Sequence, residues 1–129
     1  MYRSTAVTRS VRVEVESRYV PERSRPERDF HFFVYTVRIS NEGPRAVKLL
    51  SRHWVITDAE GQVQEVQGLG VVGEQPRLQP GGSFEYTSAC PLPTAIGTMH
   101  GTYEMEDEAG ERFEAQIAAF TLAQVGALH

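Results

Sequence analysis

At 129 residues and a formal net charge of −4, the chain fits one domain that buries roughly two thirds of its unfolded surface, enough for a core without disulfide or metal support. The mild acidity argues against a general affinity for nucleic acid or for an anionic membrane. The single cysteine, Cys90, has no partner for an internal disulfide, the opening Met1-Tyr2-Arg3-Ser4-Thr5-Ala6 lacks the apolar run of a secretory signal, and no apolar stretch approaches the ~20 residues that span a bilayer. The expected home is a reducing cytoplasm.

Val11-Arg12-Val13-Glu14-Val15-Glu16-Ser17 alternates β-branched and mostly polar or charged residues, which predicts a strand with valines on a buried face and charges on a wet one. Tyr19 to Asp29 holds Pro21, Pro26 and a run of long polar side chains, and reads as a mobile surface loop. Its neighbouring arginines (Arg18, Arg23, Arg25, Arg28) are interleaved with Glu22, Glu27 and Asp29 and have no aromatic residue among them for base stacking, so a solvated loop outweighs a nucleic-acid arm.

Phe30 to Ser40 predicts a strand with Phe33, Tyr35, Val37 and Ile39 on its buried face. Asn41-Glu42-Gly43-Pro44 is a turn, and Ala46 to Thr57 a long strand expected to return beside the preceding one as a hairpin. Asp58-Ala59-Glu60-Gly61 reads as a hairpin loop feeding the strand Gln62–Val66. Arg77 to Gly82 is a further turn, Ser83–Ala89 alternates again, and Pro91 and Pro93 close that strand. The strands Thr98–Glu106 and Phe113–Leu122 flank a second Asp-x-x-Gly loop at Asp107, with Asp107, Glu108 and Glu111 read as a solvated hairpin tip. Six or seven short strands without helical periodicity predict an all-β fold, two antiparallel sheets packed as a sandwich. The whole chain, 1–129, is read as one domain with its core over about 8–122 and a frayed tail over 123–129.

The least ordinary stretch is Gly68-Leu69-Gly70-Val71-Val72-Gly73-Glu74-Gln75-Pro76, followed by Arg77. Glycines interspersed with bulky apolar residues suit neither a strand nor a helix. The letters Gly68-x-Gly70-x-x-Gly73 match a dinucleotide fingerprint, but Pro76, Pro80, Gly81 and Gly82 follow where the fingerprint needs a helix. A weaker version is an anion-binding nest of backbone N–H groups, with Arg77 nearby. Two charge-assisted hydrogen bonds at ~1.5–3 kcal/mol each give a dissociation constant of order millimolar. Three readings stay open: a structural loop, a protein-contacting loop in which Leu69, Val71 and Val72 meet a partner, and a weak phosphate or nucleotide site.

Other chemistry-bearing residues have plainer readings. His53, between Arg52 and Trp54, reads as a hydrogen-bonded structural histidine because no catalytic partner lies at a diagnostic spacing. Trp54 reads as core. His31, His53, His100 and His129 have none of the short paired spacings of a zinc site, and the Asp107 loop lacks the calcium-loop pattern. Cys90 reads as a buried thiol rather than a nucleophile. No cofactor, metal or catalytic residue is assigned.

Leu49-Leu50-Ser51-Arg52-His53-Trp54, Ile56-Thr57-Asp58, the stretch Gly68 to Pro76, and Phe84-Glu85-Tyr86-Thr87-Ser88-Ala89-Cys90-Pro91-Leu92 together resemble the ApaG family of small bacterial proteins, from about Thr8 to Leu122. The resemblance implies a sandwich similar to fibronectin type III. It also implies a protein-interaction role, since the domain is part of eukaryotic F-box proteins and of a polymerase-associated protein, and a loose association with magnesium and cobalt tolerance. The bacterial gene often lies beside that of a dinucleoside tetraphosphate hydrolase. The family supplies a class of role and no reaction. The expectation is therefore a non-enzymatic binding module, monomeric or homodimeric, that recognises a protein through a sheet edge or the glycine loop; the alternative is pyrophosphate or nucleotide binding at Gly68–Gly73.

Overall fold

The valine row Val11, Val13 and Val15 is buried, and the next inward position, Ser17, continues it. Facing it across the sandwich are Trp54 and Ile56 of one strand, and Ile117, Phe120 and Leu122 of another. The structure is a computed structural model, and residues 1–124 are described. They form nine strands: β1 Tyr2–Thr8, β2 Val11–Tyr19, β3 His31–Asn41, β4 Val47–Asp58, β5 Val63–Leu69, β6 Arg77–Leu78, β7 Ser83–Leu92, β8 Ile96–Asp107 and β9 Arg112–Ala123. All pairings are antiparallel. One sheet has the order β1-β2-β3-β7; the other has the order β5-β4-β8-β9, with the short β6 also on β4. The expected two-sheet antiparallel sandwich is what the chain forms. Its strand order is that of a fibronectin type III domain with β1 added at one edge. Among the described residues no helix is long and apolar enough to cross a membrane.

Several local expectations need correction. β3 and β4 do not form a hairpin: β3 pairs with β2 and β7, whereas β4 crosses to the other sheet. The turn between them is built around Asn41, whose buried side-chain amide donates to Arg45 O at 2.7 Å and Leu78 O at 3.0 Å, while its carbonyl oxygen accepts from Gly43 N at 3.0 Å. A hairpin would have left that amide without these partners. The stretch after β2 lies at the surface as expected, but it carries regular turns. It forms two 3-10 turns, Pro21–Arg23 and Pro26–Arg28, around buried Ser24, whose hydroxyl donates to Val20 O and accepts from Phe32 N. The Arg23 guanidinium lies 4.2 Å from the centre of the Phe32 ring.

β1 was not foreseen. It joins β2 through Arg9-Ser10, both with positive φ, the geometry of a type I′ hairpin turn without the Asn-Gly that normally announces it. Ala123 pairs with Ile96 and is buried, so the chain is still in β9 where fraying was expected to begin; 125–129 lie outside the described residues. The two Asp-x-x-Gly tips are built alike. Asp58 Oδ1 accepts from Glu60 N and Gln62 N, and Asp107 Oδ1 from Ala109 N and Glu111 N, with Gly61 and Gly110 in the left-handed region. Asp107 is thus a structural cap with its side chain 8% exposed, and Glu108 accepts from Ala46 N at 2.8 Å; neither is a free hairpin-tip carboxylate.

Candidate protein-contact site at the glycine loop

The site begins with an irregularity in β4. Between Leu49 and Ser51 the pairing with β8 slips by one residue at Leu50, a β-bulge that inverts the alternation beyond it. Leu49 faces the core before the bulge; Trp54 and Ile56 face it after, and Arg52 joins their row. The bulge also directs the Leu50 carbonyl to the glycine loop, where it accepts from Gly70 N at 2.9 Å and from Gln75 Nε2 at 2.9 Å. The far end of the loop is fixed by Leu49 N donating to Pro76 O at 3.0 Å.

Gly68 and Leu69 are the last residues of β5. Gly68 pairs with Arg52, and a Cβ on it would stand 2.8 Å from Nη1 of that guanidinium, so the missing side chain is the space the arginine occupies. Arg52 Nη1 then donates to Leu69 O at 3.1 Å and Gly70 O at 2.9 Å. Gly70 itself has φ +62 and would place a Cβ 2.2 Å from Glu74 O, which only glycine avoids.

Val71, Val72, Gly73 and Glu74 form a closed tight turn. Val71 N donates to Glu74 O at 2.8 Å and Glu74 N to Val71 O at 2.9 Å, and both central residues have positive φ, 42° at Val72 and 80° at Gly73. This is a type I′ turn in which the first central position, usually Asn or Gly, is a β-branched valine that disfavours the left-handed region. The apolar residues divide. Val71 is fully buried, whereas Val72 is 56% and Leu69 79% exposed. Val71 is thereby a core residue, not part of an exposed surface. The turn consumes the N–H groups of Gly70, Val71 and Glu74 on protein carbonyls, which leaves fewer donors for a phosphate than a glycine nest offers. Arg77 sits beyond the turn on β6, paired with Lys48.

Leu69 borders an open groove of about 470 Å³ on the outer face of the second sheet, whose walls include Ser51, His53, Gln67, Thr102 and Glu104. His53 points into this outer face, not the core, and its Nε2 is 2.7 Å from Glu65 Oε1. The floor of the loop on the inner side is aromatic. Trp54 packs edge-on against Tyr35, Tyr103 and Phe120, and the Tyr86 and Tyr103 hydroxyls hydrogen-bond to one another. Burial raises the pKa of Tyr35, Tyr86 and Tyr103 and pushes the Cys90 thiol up to about 11, which leaves Cys90 a protonated, unreactive group at neutral pH. Among the described residues no cluster of three or more His, Cys, Asp or Glu is placed to hold a metal ion.

Arg52 is the residue that sequence reasoning passed over. The sequence places it in the run Leu49 to Trp54 and beside His53 without giving it a role, and the signal that points to its inward position is its two-residue spacing from Trp54.

A family model described as ApaG domain matches residues 21–107. The chain belongs to the ApaG family. Protein ApaG of Rhodopseudomonas palustris is 60% identical over 122 residues, 95% of this chain and 92% of its own length. Protein ApaG of Bordetella pertussis is 58% identical over 117 residues, 91% of this chain and 89% of its own. A crystal structure from Bordetella pertussis carrying the name ApaA superposes with a TM-score of 0.89 at 56% identity, covering 91% of this chain and 95% of that one. The segment matched to the ApaG domain runs from the first 3-10 turn to the end of β8, so it contains the bulge, Arg52, the glycine loop and β7.

Proposed function

We propose that this ApaG-family chain is a non-catalytic protein-contact module, cytoplasmic, whose contact surface is the tip of the glycine loop with the adjoining edge of β5. The observation that carries the reading is the pair Leu69 and Val72: two bulky apolar side chains, 79% and 56% exposed, on a turn locked in place by Arg52 and Leu50. A loop under no functional demand would carry polar residues there, and Asn at the Val72 position would remove the backbone strain. Exposed, rigid apolar side chains are what a protein interface uses as anchors, because little conformational entropy is lost on binding. The unpaired edge of β5 beside them offers main-chain groups to an added strand. Pyrophosphate or nucleotide binding at Gly68–Gly73 has less support, since three of the loop's N–H groups already have protein acceptors.

The test is affinity capture from lysate of the organism with wild-type bait and with a Leu69→Ser/Val72→Asn double variant, each shown folded by thermal melting. A partner retained by wild type and lost by the double variant is the expected result. Equal capture by both baits removes the loop from the interface.

A further inference from the structure

Below the loop, between β5 and β7, the sandwich is not fully closed: a cavity of about 170 Å³ runs in from Ala89 to Trp54 and Met99, with Tyr35 and Ser88 on the β3/β7 side and Ile56 and Val66 on the other. Arg52 lines it. Nη1 spends both its hydrogens on the Leu69 and Gly70 carbonyls, but among the described residues Nε and Nη2 make no hydrogen bond and no carboxylate lies within 4 Å of the guanidinium. The Nε/Nη2 edge is the one that holds a carboxylate through two parallel N–H···O bonds. Neither nitrogen is a buried unsatisfied atom, so that edge keeps contact with solvent, and Arg52 borders both this cavity and the groove on the outer face. An arginine serving only to hold the loop would need neither the cavity nor the vacant edge.

We propose that this cavity binds a carboxylate carrying a short apolar group, the carboxylate on the Nε/Nη2 edge of Arg52 and the apolar group among Ile56, Val66 and Met99. Size limits the ligand: drug-sized molecules occupy ~300 Å³ or more, so about 170 Å³ admits a short branched acid or a single terminal side chain. Charge selects its head. One guanidinium, with the neutral side chains of Tyr35, Ser88 and Cys90 among the other polar groups on the wall, suits a monoanion, whereas a phosphate or pyrophosphate would bring charge and hydration that no second cation lining the cavity offsets. The same chemistry has two sources, a free short-chain acid or the C-terminal residue of a peptide lying along the unpaired edge of β7.

The chain has one tryptophan, so the Trp54 indole N–H is a single unambiguous NMR signal on the cavity wall. Isovalerate, acetyl-Ala-Ala-Val with a free C-terminus, its C-terminal amide, and inorganic phosphate are each titrated against the full chain. A saturable shift of the Trp54 signal with isovalerate assigns the site to free acids. A shift with the free-acid peptide alone assigns it to chain termini. The amide and phosphate are expected to do nothing, and Arg52→Gln to weaken binding at least tenfold. No shift with either acid, an amide as effective as its acid, or unchanged binding in Arg52→Gln overturns the proposal. Val66→Phe, at a half-buried wall residue packed against the core, fills the cavity without replacing Arg52 and decides the matter if Arg52→Gln does not fold: binding retained in a folded Val66→Phe overturns the proposal.

Discussion

The two flanks of the sandwich are finished in different ways. On the β1/β9 flank, side chains sew the sheets together. Ser4 Oγ donates to Ala118 O at 2.8 Å, Ser17 Oγ to Thr121 O at 2.6 Å, and Thr8 Oγ1 accepts from Gln116 N at 3.0 Å. A bulge in β9 opposite Met99 and Gly101 supplies one of these carbonyls. On the β5/β7 flank no main-chain pairing joins the two edge strands among the described residues, and the space is left to Arg52, the tyrosines and the cavity. Both flanks contain a bulge, but one is used to close an edge and the other to bring a cation to an open one. Edges left unpaired are a liability that a domain ordinarily covers, so the uncovered flank is where a use for the edge is to be sought.

If the open flank is functional only at its exposed tip, then its buried half must behave as core. Val71→Ser removes a fully buried side chain and adds an unpartnered hydroxyl; it is expected to cost ~3 kcal/mol, a fall in melting temperature of roughly 10 °C. A loss below about 0.5 kcal/mol, the range of surface substitutions, would mean that Val71 belongs to the surface patch after all.

The buried hydroxyls and thiol of the open flank give it an alkaline limit. Tyr35, Tyr86, Tyr103 and Cys90 all have pKa values raised by burial in the folded chain, Cys90 from 9.0 to about 11. A raised pKa stabilises the fold below the unfolded value and withdraws that stability as pH rises through the folded one. Stability is therefore expected to be unaffected by these groups through neutrality and to fall from about pH 9 upward. Absorbance of tyrosinate should show Tyr86 and Tyr103 still protonated at pH 10 in the native state; ionisation of both near pH 10 before unfolding would contradict their burial.

The closed flank is tested by Ser17→Ala, which strips Thr121 O of its partner at a buried position. A loss of ~1–2 kcal/mol is expected, measured by urea unfolding. A neutral outcome would show that the stitching is incidental and that the two flanks differ less than their geometry suggests.

Strand positions and the core were legible because period-two alternation reports burial directly: Val11, Val13, Val15, Phe33, Tyr35, Val37 and Ile39 all lie inward as their spacing requires. Partner choice was not. Nothing local to Asn41-Glu42-Gly43-Pro44 distinguishes a hairpin from a crossover, since the decision rests on Asn41 reaching Leu78, distant in sequence. β1 was missed because Arg9-Ser10 adopts a turn that neither residue favours. The glycine loop was visible as an anomaly, but its division into one buried and two exposed apolar residues was not, because Val71 and Val72 are adjacent and chemically identical, and only the turn sends them to opposite sides. Arg52 shares the face of Trp54 by alternation, but its role was not legible, because the carbonyls it holds, Leu69 O and Gly70 O, lie 17 and 18 residues away in sequence.

The smallest expected effects on stability are the most informative about function. Val72 carries φ +42 on an exposed turn, and a β-branched residue there costs of order 1 kcal/mol that asparagine avoids. Val72→Asn is therefore expected to raise stability by ~1 kcal/mol, and Leu69→Ser to change it by less than about 0.5 kcal/mol, both read from urea midpoints. A loop that served only the fold would gain from the first change and be indifferent to the second. If Val72→Asn instead destabilises, the valine methyls have a packing role and the strain argument fails. If it stabilises while partner capture falls, the strained valine is retained at the expense of stability for what it touches, which is the form that selection on an interface takes.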